Sequence, residues 1–96
     1  MKHARHFEHV NRTSAREAEC IGTMIADMRR VVQVLDCDVK TEEERSRIFD
    51  RSDANYPMLA RTLVARRENL KVTIAALEAR LSSIDPAVQA ELTIAA

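Results

Sequence analysis

Ala18-Glu19-Cys20-Ile21-Gly22-Thr23-Met24-Ile25-Ala26-Asp27-Met28-Arg29-Arg30-Val31-Val32-Gln33-Val34-Leu35-Asp36-Cys37-Asp38-Val39 is the stretch that decides the fold. Its apolar residues Ala18, Ile21, Ile25, Met28, Val32, Leu35 and Val39 recur in alternating steps of three and four. That spacing puts them on one face of a helix. The pattern resumes at Tyr56 and runs through Ala60, Leu63, Leu70, Ile74, Leu77, Leu81 and Ile84, with Arg67 as the polar member. A helix alone buries too little to be stable, so each stripe needs another helix to pack against.

Turn chemistry supports the same reading. One Gly and two Pro in 96 residues leave almost nothing for hairpins or glycine-rich loops. With two Phe, one Tyr and no Trp, the core is aliphatic. Fifteen basic and fifteen acidic side chains cancel, so no global field draws the chain to nucleic acid or to an acidic membrane. The charge balance, with 46% hydrophobic residues, also excludes wholesale disorder.

The first helix is expected over residues 14–39. Ser14-Ala15-Arg16-Glu17 fits a capping box, and residues 1–13 form a flexible or helical arm. The register also extends backward through Ser14, Asn11, Phe7 and Ala4, so the alternative is one helix from about residue 3 to 39 with Asn11 as a polar seam residue. The favoured form is a helical N-terminal segment with a bend near Thr13-Ser14. Residues 40–55 read as a connector, in which Thr41-Glu42-Glu43-Glu44 opens a short helix carrying Ile48 and Phe49. Asp36 with Lys40 and Glu43 with Arg47 stand as acid-before-base pairs four apart. The second helix covers 56–84, capped by Asp53 or Asn55 ahead of Pro57, and Asp85-Pro86 starts a short C-terminal helix over 86–95. The expected fold is a single all-α domain, residues 1–96. The two long helices form an antiparallel hairpin, completed by dimerisation into a four-helix-type bundle.

Two features point to surfaces beyond the hairpin. Ala65, Val72 and Ala79 recur every seven residues on the back of the second helix, broadened by Ala75 and Ala76. A helix apolar on both sides is packed on both sides, and a two-helix hairpin covers only one. The competing account is that Ala is surface filler with high helix propensity. Gly22, costing about 1 kcal/mol relative to Ala in a helix, marks either a close approach of another helix or a tolerated surface glycine. Gly22, Ala65, Val72, Ala75, Ala76 and Ala79 are therefore the candidate contacts with a second copy or a helical partner. Ile48, Phe49, Tyr56, Met58 and Leu59 are expected to close off the end of the hairpin core. Arg67 either snorkels to water or pairs with a carboxylate to fix register.

Other chemistries find little support. His3, His6 and His9 could place two ligands toward a metal while the third rotates away, but nothing completes a ligand set, so no metal and no cofactor is expected. There is no glycine-rich phosphate loop, HExxH, GxSxG or CxxC, and an enzyme is not expected. Basic groups at Lys2, Arg5, Arg12 and Arg16, at Arg29-Arg30, and at Arg61, Arg66, Arg67 and Lys71 make nucleic-acid binding the runner-up, without a recognised DNA or RNA motif. Cys20 and Cys37 lie 17 positions apart on one helix, roughly 25 Å, which excludes an intrachain disulfide. Two reduced thiols, a polar start and no apolar run of membrane length lead to the expectation of a cytoplasmic protein. The function expected is that of a non-catalytic interaction module, an adaptor, chaperone-like or regulatory partner.

Overall fold

The computed structural model describes the backbone of residues 2–84 and the side chains of residues 12–84. Helix α1 spans Lys2–Ser46 and helix α2 spans Met58–Ser82, with no strand among the described residues. The two helices pack against each other. Two compact units can be distinguished, Asp27–Ile74 and Met1–Ala26 with Ala75–Ala96.

Asp27–Ile74 is itself an antiparallel helical hairpin. Leu35 and Val39 of α1 and Ala60 and Ile74 of α2 are buried, with Met28, Val32, Leu63 and Leu70 half-buried beside them. Each belongs to the three-and-four stripe, so the periodicity becomes a continuous apolar contact. Two polar ties fix the register. The Tyr56 hydroxyl donates to Glu43 Oε2 at 3.0 Å, and the Arg67 guanidinium donates through NH1 to Asp36 Oδ1 at 2.9 Å.

In the other unit, Ala18, Ile21 and Ile25 are buried from α1 and Ile84 from just beyond α2. Leu77 and Leu81 are half-buried. Arg80 donates to Glu17 Oε1 from Nε at 2.9 Å and from NH2 at 2.5 Å. That pair is largely exposed and contributes only about 0.2–1 kcal/mol.

Helix boundaries differ from the sequence expectation in four places. Ser14 lies inside α1, whose backbone is helical from Lys2, so the Ser14–Glu17 capping box does not open the helix. The separate short helix expected at Thr41 is the last turns of α1. The Thr41 hydroxyl donates back to Cys37 O at 3.0 Å, the arrangement of a helix-interior threonine and not of a cap. The helix stops at Ser46, whose hydroxyl donates to Glu43 O and accepts from the Ile48 amide, both at 3.2 Å. Arg47 then adopts φ 61°, the left-handed conformation that ends many helices, although a side-chain-bearing residue meets a cost of roughly 1–2 kcal/mol there.

At α2, neither Asp53 nor Asn55 caps. The Arg61 amide donates to Pro57 O at 3.1 Å, so Pro57 occupies the capping position, and Tyr56 precedes the helix. Asp53 instead builds the connector, its Oδ1 accepting from the Asn55 amide at 2.8 Å. Asp50 makes the matching turn, accepting from the Ser52 hydroxyl at 2.7 Å and amide at 2.9 Å. Those two bonds hold the Asp50 pKa below its ordinary value, the hydroxyl contributing most. The expected C-terminal helix over 86–95 lies outside the described residues.

Candidate interaction surface

The buried side of α2 is set by Ala60, Arg67 and Ile74, and this places its back in solvent. In the unit Asp27–Ile74, Ala65 is exposed and Val72 is 70% exposed. In the other unit, Ala75, Ala76 and Ala79 are exposed. All five α2 positions singled out from the sequence are therefore uncovered in the single chain. One further residue belongs with them. Met58, at 75%, is the most exposed large apolar side chain among the described residues and stands seven residues before Ala65. The seven-residue repeat carries that signal, which reading Met58 as part of the connector obscured.

Gly22 is different. It is half-buried, and a Cβ built there would meet nothing within 4 Å, so no described residue makes the close approach that would explain a glycine. The connector residues also depart from expectation. Only Tyr56 is buried and Ile48 half-buried, while Phe49 and Leu59 stand 58% and 54% exposed. Polar bonds close the turn where apolar packing was expected: the Asp50 and Asp53 turns, and Arg61, which donates to Asp53 O at 2.7 Å and lies over the Tyr56 ring at 5.4 Å. With the turn held this way, Phe49, Met58 and Leu59 are not needed in the core.

Electrostatics centre on Arg67, which is buried and pairs with Asp36 across the hairpin; of its two expected roles, the structure shows the pair. It also contacts Glu68 Oε1 at 3.2 Å. Burial alone lowers the Arg67 pKa, but the bonds to Asp36 and Glu68 outweigh it and raise the value overall. Asp36 is thus spent on Arg67 and Glu43 on Tyr56, so neither joins the expected pair with Lys40 or Arg47. Pairs spaced three apart form along the helices instead, among the described residues Asp27–Arg30, Glu42–Arg45 and Glu68–Lys71. Burial, and then the Glu43 carboxylate, push the Tyr56 pKa above its ordinary value.

Four of the basic residues considered for nucleic acid are engaged within the chain: Arg30 with Asp27, Arg61 with Asp53 and Tyr56, Arg67 with Asp36, Lys71 with Glu68. Cys20 and Cys37 are free and exposed on one continuous helix. The side chains of His3, His6 and His9 lie outside the described residues. Among the described residues no group of three His, Cys, Asp or Glu could hold a metal, and no helix is long and apolar enough to cross a membrane. No protein-family model, curated protein or solved structure matches the chain.

Proposed function

We infer that this chain is a non-catalytic helical interaction module, an adaptor, chaperone-like or regulatory partner that works by presenting the back of α2 to another helix. The observation that carries this reading is Val72, a β-branched apolar residue 70% exposed in the middle of a well-formed helix whose other side is already packed. Single exposed apolar residues need no explanation, but a heptad-spaced line of them does. Self-association is the favoured mode, two hairpins forming a four-helix dimer. A two-helix hairpin of this size sits near the lower limit of what a single core can hold together, and no large side chain among the described residues is fully buried.

Sedimentation equilibrium or light scattering on the full chain tests it. A concentration-dependent dimer is expected, lost in Val72→Glu with helical content unchanged by circular dichroism. A wild-type chain that stays monomeric at every accessible concentration overturns the self-association reading.

A further inference from the structure

Within Asp27–Ile74, the back of α2 carries more than a line of small residues. Met58, Thr62, Ala65, Asn69 and Val72 recur in alternating steps of four and three, all are exposed, and none is charged. That is the spacing of a helix-pairing seam. The equivalent line on α1, Asp27, Arg30, Val34, Cys37, Thr41 and Glu44, carries three charges, so an uncharged back is a property of α2 alone. Thr62 needs no polar partner from outside, because its hydroxyl already donates to Met58 O at 3.1 Å. Surface filling by Ala accounts for Ala65 but leaves Met58 and Val72 unexplained.

The charges beside the seam say what covers it. One flank carries Arg61 and, seven residues on, Glu68. A two-fold axis midway between them sets each Arg61 opposite Glu68 of a second copy, twice per pair. Parallel pairing in register instead brings Arg61 toward Arg66 of the second copy, a like-charge contact. Arg61 keeps its charge for such a partner, since what it meets among the described residues is a carbonyl and a ring. Glu68 meets Arg67 and Lys71 through Oε1, which leaves Oε2. The axis falls beside Ala65, a side chain small enough for the two helices to approach closely.

We propose that a second copy of this chain covers this face, α2 packing antiparallel on α2 about an axis beside Ala65, with Arg61 opposite Glu68 of the second copy. This rests on the self-association reading and specifies its geometry. The test uses the full chain with Cys20→Ser and Cys37→Ser. Ala65→Cys is expected to form a disulfide-linked dimer on mild oxidation. Met58→Cys is not, because antiparallel pairing separates the two copies of that position by about 20 Å, far beyond the roughly 7 Å a disulfide spans. Glu68→Arg should weaken the dimer about tenfold, and adding Arg61→Glu should restore it.

Cross-linking through Met58→Cys as well as Ala65→Cys indicates parallel pairing and overturns the proposal. So does a wild-type dimer that cross-links through neither, since another face then mediates it. Both outcomes leave self-association standing, whereas a monomeric wild type removes both.

Discussion

Arg67 shows how one residue carries two jobs. Its stem occupies a seam position and its guanidinium reaches Asp36 across the hairpin. The Asp36 side chain is 41% exposed, so it rehydrates if Arg67 is removed, and the lost packing dominates the cost. Arg67→Ala is expected to lower stability by about 2 kcal/mol, and Arg67→Met by less than about 1 kcal/mol, read from urea midpoints. Equal losses in the two variants would assign the stability to the ion pair and not to packing. Tyr56 gives a pH signature. Its folded pKa is raised, so its contribution is complete below the unfolded value near 10 and falls as pH rises through the folded pKa. Stability of the wild type should therefore decline above about pH 10 more steeply than that of Tyr56→Phe. As the only tyrosine, its ionisation can be followed directly by ultraviolet absorbance, and parallel pH profiles in the two proteins would contradict the assignment.

At the scale of elements, most stripe residues could be read from the sequence, and helix ends much less so. The described stripe positions from Ala18 to Val39 and from Tyr56 to Ile84 are buried or half-buried, since three-and-four spacing leaves them no other face. The ends went astray because Ser, Thr and Asp bond locally in more than one way. Thr41 in Thr41-Glu42-Glu43-Glu44 matches a cap on paper, yet its hydroxyl turns back to Cys37 O once α1 continues through it. The true end, at Arg47, carries no glycine and gave no signal. Gly22 is the matching case inside a helix. With open space where its Cβ would be, Gly22→Ala should raise the thermal midpoint by the equivalent of about 1 kcal/mol. Weaker self-association would instead show that a second chain lies against it in solution.

For the molecule as a whole, the sequence alone determined that the chain is helical and which faces are apolar, because helical periodicity depends only on the spacing of residue types. It singled out the exposed back of α2 for the same reason, and the same spacing identified Arg67 as the polar member of the second stripe. Only the tertiary structure decided which partner each polar group takes. Asp36 had Lys40 four residues away and Glu43 had Arg47, yet they bond Arg67 and Tyr56, residues 31 and 13 positions distant. Those choices follow from the register of one helix against the other, and residue spacing within a single helix holds no information about that register. The same holds at the turn: whether Phe49 and Leu59 closed the core depended on whether Asp50, Asp53 and Arg61 could hold the connector by hydrogen bonds, which three-dimensional proximity settled.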